Sequence, residues 1–197
     1  MLNGWSDDPE DARRRILDLT SLAVKVAGDD AVVLAVAAGA LAYVDDNPLT
    51  GLAYVDRALA LNPGSSTSWS LSGMLRVRAG QLDLGIAQLE TSLRLDPASP
   101  RRAIQLGILG QARFLQGRFA EAIELLNEAE QLSSSGFLPA FTAASFGHLG
   151  QAKQAQAALM RWRTATSQPA AEYARTMMTD PAHRKLFLDG IALAEGA

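Results

Sequence analysis

Residues 58–63 read ALALNP and residues 92–97 read SLRLDP, so one short pattern returns after 34 residues. Glycine follows the same period, since Gly39 precedes Gly73 by 34 residues. A fixed period of this length is typical of folds built from stacked, similar units. The chain is therefore expected to be a repeat protein.

Each unit is expected to be two antiparallel helices joined by a tight turn. Glycine in a helix interior costs about 1 kcal/mol relative to alanine, so Gly73 and Gly110 indicate close approach of the second helix. Gly80, Gly117 and Gly150 fall where each first helix must stop and a left-handed residue is favoured. Proline, at 63 and 97, then ends the second helices.

The third copy is displaced by 37 residues from the second, because Gly110 and Gly117 follow Gly73 and Gly80 at that step. The spacing predicts that the first helix of the third copy is nearly a turn longer. A fourth copy begins its second helix after Gly150, 33 residues beyond Gly117.

The pattern resembles the tetratricopeptide repeat (TPR), a 34-residue helix-turn-helix signature. The second copy matches best, through Trp69, Ser72, Gly73, Gly80, Gly85, Leu89, Ser92 and Pro97. The resemblance implies an all-α fold, a right-handed α-solenoid of helical hairpins with terminal capping helices. Its expected divisions are a capping half-repeat (1–30), four repeats (31–65, 66–99, 100–135 and 136–168) and C-terminal capping helices (169–197).

A closer resemblance rests on three strings: LAY at 41–43, VDRALALNP at 55–63 and DPAHRKLFLDG at 180–190. They are similar to the TPR region that follows class III adenylate or guanylate cyclase domains and some winged-helix regulators in bacteria. The resemblance implies a regulatory role in a bacterial signalling protein. No Gly-rich nucleotide loop or pair of catalytic aspartates can be matched, so no cyclase activity is expected of this chain.

Composition excludes several classes of function. The 197 residues are 48% hydrophobic and 20% charged with a net charge of −3, which gives no support to a disordered chain or a nucleic-acid binder. The absence of cysteine excludes thiol catalysis and Cys-ligated zinc, and His148 and His183 fit no metal-ligand spacing. The apolar run at 31–44 is too short to span a membrane and has no signal-peptide flanks. We expect a cytoplasmic protein with no metal, cofactor or catalytic residues.

Single residues that could mark a site have simpler interpretations. Trp69 begins the repeat pattern and is expected to pack within it. A lone histidine such as His148 is more often structural than catalytic. The arginines at 13–15 are surrounded by carboxylates, which favours a charge-balanced helix surface over a binding patch.

The remaining candidate site is the concave face lined by the first helices, which suits an extended peptide or a partner helix. Its lining is mostly apolar, so the expected partner is a protein or peptide with an apolar segment. Lysines and asparagines that grip a C-terminal carboxylate in some TPR proteins are missing from it. The groove residues are Val36, Ala40, Tyr43, Ser70, Met74, Val77, Arg78, Gln111, Phe114, Leu115 and His148.

Other uses of this face stay open. The terminal helices of the chain or a second copy could bury part of the lining, and the apolar face could form a homodimer interface. An enzymatic site between repeats would require a cluster of titratable groups, and the sequence shows none.

Overall fold

The computed structural model describes residues 8–44, 48–133 and 138–196. In these ranges the chain forms eleven α-helices and no strand, which confirms the predicted all-α class. The helices are α1 (Pro9–Ala27), α2 (Ala31–Val44), α3 (Pro48–Leu61), α4 (Ser66–Arg78), α5 (Leu82–Leu95), α6 (Arg102–Leu115), α7 (Phe119–Leu132), α8 (Leu138–His148), α9 (Ala152–Ala165), α10 (Ala170–Met177) and α11 (Pro181–Glu195).

Helices α2 to α9 pack as four successive hairpins, α2–α3, α4–α5, α6–α7 and α8–α9. The last three hairpins turn at the predicted glycines, since Gly80, Gly117 and Gly150 have φ of 78°, 75° and 68°. The turn at Gly80 also closes with a hydrogen bond from the Gln81 N–H to the Arg76 carbonyl, which satisfies the end of α4. In each of these three hairpins, three residues connect the end of the first helix to the start of the second helix.

Close helix contact explains the glycines inside the hairpins. A Cβ on Gly73 would lie 2.8 Å from the Gly85 carbonyl oxygen, and one on Gly110 would lie 2.7 Å from Cγ of Leu126. Both distances are shorter than real Cβ contacts allow, so the glycines let the paired helices touch. Gly110 is therefore a packing glycine, as predicted.

The longer step before the third hairpin lies mainly in a loop. Helix α6 has 14 residues, the same as α2 and one more than α4, so the expected additional turn of helix is absent. The chain instead forms a turn between α5 and α6, in which the Ser99 N–H bonds the Asp96 carbonyl and the Arg102 N–H bonds the Ser99 carbonyl. Pro100 inside this segment favours such a turn over continued helix.

Both ends of the hairpin array carry additional helices. Asp8 caps the N-terminus of α1, because its carboxylate accepts hydrogen bonds from the Glu10 and Asp11 N–H groups at 3.1 Å. Helix α1 packs against α2. Helices α10 and α11 follow the last hairpin, and α11 packs against α8. The core forms two clusters, one around Leu34, Val55 and Leu75 and a larger one from α4 to α11, and the half-buried Met74 contacts both.

None of the helices in the described ranges is long and apolar enough to cross a membrane.

Candidate binding groove

The first helix of each hairpin lies on the inner side of the array. Helices α2, α4 and α6 each contact the next first helix, whereas neighbouring second helices make almost no contact within the described ranges. An array curves toward the side on which its helices are closer together. The concave surface is therefore formed by α2, α4, α6 and α8, as the repeat register predicts.

The C-terminal half of this surface is occupied by α11. The helix lies directly against α8, with the Leu186 carbonyl at the His148 side chain and Gly190 against Ala144. The segment before it reaches further along the groove, where the Thr179 hydroxyl donates to the Arg78 carbonyl at 2.8 Å. The chain therefore fills the part of the groove formed by α6 and α8 with its own C-terminal helix.

Phe187 is the residue that anchors α11. Its side chain is fully buried, and its ring lies 5.2 Å from Phe141, 5.6 Å from Tyr173 and 6.3 Å from Phe114, centroid to centroid. Edge-on and tilted arrangements of this kind are favourable for aromatic rings. Burial in this cluster also raises the pKa of the Tyr173 phenol above its ordinary value.

A pair of glycines sets how closely α11 approaches α8. A Cβ on Gly147 would lie 2.2 Å from the Gly190 carbonyl oxygen, and a Cβ on Gly190 would lie 2.7 Å from the Ala144 carbonyl oxygen. The two backbones are therefore in direct contact at this point. No side chain could be accommodated at either position without moving one helix.

His148 has a structural role at the end of α8. Its Nε2 lies 2.8 Å from the Leu186 carbonyl, a geometry in which the ring donates and the carbonyl accepts, and its ring stacks on Phe119 at 4.4 Å between centroids. The half-buried imidazole therefore links α11 to the end of α8.

The structure separates the predicted groove residues into two groups. Five of them are buried by the fold and are not accessible to a partner: Ser70 and Val77 on α4, and Gln111, Phe114 and Leu115 on α6. The N-terminal half is more open, and its accessible members are Val36, Ala40, Met74 and Arg78. The side chain of Tyr43 lies outside the described residues.

Arg78 and Trp69 are both held by backbone carbonyls. The guanidinium of Arg78 donates to the Ala42 carbonyl, which links α4 to the end of α2. The indole N–H of Trp69 donates to the Pro63 carbonyl at 2.8 Å and fixes the loop between the first two hairpins. Trp69 therefore packs at the start of its repeat, and Arg78 presents only part of its surface to the groove.

Ile104 belongs to the same open surface. It lies near the start of α6, a first helix, and its apolar side chain is 41% exposed. Over the described ranges, no three His, Asp or Glu side chains come close enough together to hold a metal ion. The chemistry that this surface offers is thus mainly apolar contact.

A sequence model of the tetratricopeptide repeat matches residues 70–137, from within α4 to the end of the third hairpin. This region is a tetratricopeptide repeat segment. Such repeats generally mediate contacts between proteins and are typically non-catalytic. The match supports the tetratricopeptide repeat family for this stretch, which is less than half of the chain.

Solved structures show the same fold over most of the chain. YrrB, whose structure is described as a TPR protein with an unusual peptide-binding site, is 17% identical with a TM-score of 0.58, covering 90% of this chain and 91% of YrrB. The pilF protein of Pseudomonas aeruginosa is 14% identical with a TM-score of 0.65, covering 95% and 89%. MamA AMB-1 is 21% identical with a TM-score of 0.60, covering 77% and 89%. These low identities establish the fold alone, and no curated protein matches the sequence significantly.

Proposed function

We propose that this chain is a non-catalytic interaction module that binds an apolar segment of a partner protein in the open half of its groove. The observation that carries the proposal is Val36, which is 66% exposed on the inner side of α2 although it is apolar. Ala40 lies one turn further along α2, and the half-buried Met74 lies on the neighbouring α4. A row of apolar side chains on a concave surface is typical of peptide-binding grooves.

The chemistry of the lining supports an apolar partner over a carboxylate. Neither α2 nor α4 contains lysine or asparagine, and Arg78 on α4 already donates to the Ala42 carbonyl. An anionic chain end would therefore find few donors here. Apolar side chains of the partner would be recognised by the area that they bury.

The seating of α11 supports a helix as the form of the bound segment. Helix α11 packs on α8, a first helix, and its buried residues Phe187, Ile191 and Ala194 lie at helical spacing. The groove is therefore wide enough for one amphipathic helix. We infer that the partner segment is a short helix with apolar residues at positions i, i+4 and i+7.

The setting of the module is inferred from resemblance. The three strings at 41–43, 55–63 and 180–190 support a role beside cyclase or winged-helix domains, in the cytoplasm of a bacterium. In that setting, the binding of a partner in the groove would be transmitted to the attached domain.

The test is selection and measurement of binding peptides. A displayed library of 15-residue peptides is selected against the purified chain, and the affinities of the recovered peptides are measured by calorimetry. The selected peptides are expected to be apolar and helical, and Val36→Glu is expected to weaken them by about 5- to 150-fold, the range for truncating or charging one anchor.

Met160→Glu is the matched control. Met160 is 69% exposed and lies on α9, the second helix of its hairpin. The substitution therefore introduces the same charge away from the inner face. Peptides that bind the two variants equally well would contradict the proposal. Phe114→Glu is unsuitable because Phe114 is fully buried and the variant would test folding.

A further inference from the structure

Helix α1 is apolar on two nearly opposite faces. One face carries Thr20 and Val24, which are buried or half-buried where α1 packs on α2. The other face carries Leu19, Leu22 and Val26, which are 66%, 56% and 78% exposed. A helix with two apolar faces is typical of one that has neighbours on both sides. Within residues 8–44, 48–133 and 138–196, the helix that packs against α1 is α2.

The exposed residues form a regular stripe. Arg15, Leu19, Leu22 and Val26 are separated by four, three and four positions, the alternation that places side chains along one seam of a coiled coil. Asp18 and Lys25 flank this seam on the same side, one position before Leu19 and Val26. Among the described residues, neither Asp18 nor Lys25 forms a salt bridge.

We propose that a second copy of this chain covers the stripe, with the two α1 helices pairing antiparallel about a twofold axis. In this register Leu19 packs beside Leu22 of the second copy, and Leu22 packs beside its Leu19. Val26 lies along the aliphatic stem of Arg15 of the second copy. The apolar stripe is thereby buried by its own equivalent, as in other twofold interfaces.

Charge selects both the partner and the direction. The antiparallel register brings Asp18 opposite Lys25 of the second copy, and the twofold axis repeats the ion pair. Flanking charges of this kind set partner choice and orientation in helix pairs. A parallel pair would place Arg15 against Arg15 of the second copy, and two like charges at the seam disfavour that arrangement.

This interface is distinct from the groove. The stripe lies on the side of α1 away from α2, so the dimer uses none of the inner-face residues. It also differs from the dimer expected from the sequence, which used the apolar concave face. Dimer formation through α1 can therefore be tested independently of peptide binding in the groove.

The test is sedimentation of the full chain between about 5 and 500 μM, with helix content monitored by circular dichroism. Wild type is expected to shift from monomer to dimer with concentration. Leu22→Glu places two carboxylates in the interface and is expected to raise the dissociation constant by roughly 100-fold or more. Leu22 is exposed in the monomer, so helix content is expected to stay unchanged, and Met160→Glu serves as the control that leaves the dimer intact.

Charge reversal tests the register. Asp18→Lys and Lys25→Asp each replace two attractive pairs by two repulsive ones, and each is expected to weaken the dimer roughly tenfold. The double variant with both changes restores opposite charges and is expected to recover wild-type affinity. A wild-type chain that stays monomeric at every concentration would overturn the proposal and assign the stripe to another occupant, such as a helix of a longer chain. A double variant that is not rescued would overturn the antiparallel register.

Discussion

Replacing Gly147 by alanine perturbs the point where α11 meets the groove. The added Cβ would lie 2.2 Å from the Gly190 carbonyl oxygen and 3.1 Å from the Ala194 nitrogen. Ordinary van der Waals contact begins at 3.4 Å, so α11 must move by more than 1 Å. Backbone atoms of α11 receive the clash, and no flexible side chain can yield instead.

The change in the free energy of unfolding combines the cost of the steric clash with the gain in helix propensity. Separating two packed surfaces by about 0.5–1 Å loses about a quarter to a half of the van der Waals attraction of each atom pair. An overpacked core site typically costs about 1–3 kcal/mol of stability. Here the required movement lies at or beyond the upper end of that gap, so a cost of about 2–4 kcal/mol is expected. Alanine recovers about 1 kcal/mol of helix propensity. We therefore expect Gly147→Ala to lower the free energy of unfolding by about 1–3 kcal/mol.

Gly39→Ala is the matched control. Gly39 lies inside α2, and its added Cβ would meet Leu71 at 3.6 Å, which is ordinary contact. The same substitution is expected there to raise the free energy of unfolding by up to about 1 kcal/mol. Urea unfolding measures both changes, and hydrogen exchange of α11 locates the loss. Equal effects of the two substitutions, or unchanged exchange in α11, would refute the packing described.

Three further changes test the same structure. Phe187→Ala empties the centre of the aromatic cluster and is expected to cost about 3–5 kcal/mol of the free energy of unfolding, measured in urea; a loss below 1 kcal/mol would contradict its burial. Ser92→Ala removes a hydroxyl that donates to the Ser66 carbonyl at 2.6 Å and accepts from the buried Gln105 amide at 2.8 Å, so about 1–3 kcal/mol is expected to be lost, and a neutral result would count against this network. Because burial raises the pKa of Tyr173, the unfolded chain gives up this proton first as pH rises through about 10, and stability is present below that pH and falls above it. Alkaline urea titrations of wild type and Tyr173→Phe are expected to show a smaller decline in the variant, and parallel curves would contradict the assignment.

The hairpins could be predicted from the sequence because their determinants are local and repeated. The turn glycines at 80, 117 and 150 and the packing glycines at 73 and 110 recur in equivalent positions of successive copies, 33 to 37 residues apart. The length of α6 could not be predicted in the same way. An additional segment lengthens the spacing between copies equally whether it lies in a helix or in a loop, and in the structure most of it forms the turn around Ser99 and Pro100.

The occupant of the groove could be predicted only in part. The sequence predicts C-terminal capping helices at 169–197, and in the structure Phe187 and Ile191 of the last helix are buried whereas Leu193 is exposed. Where they dock depends on contacts between distant segments, which periodicity does not encode. A signal was present in Gly147 and Gly190, two glycines inside helices that indicate a close approach between α8 and α11.

The most direct test of the central claim is a nuclear Overhauser measurement between phenylalanine rings in the full chain. The claim is that α11 fills the α6–α8 half of the groove and leaves the α2–α4 half open. Cross-peaks are expected from the Phe187 ring to those of Phe141 and Phe114, whose centroids lie 5.2 and 6.3 Å away. Their absence in a folded, fully assigned protein would place α11 elsewhere and contradict the account.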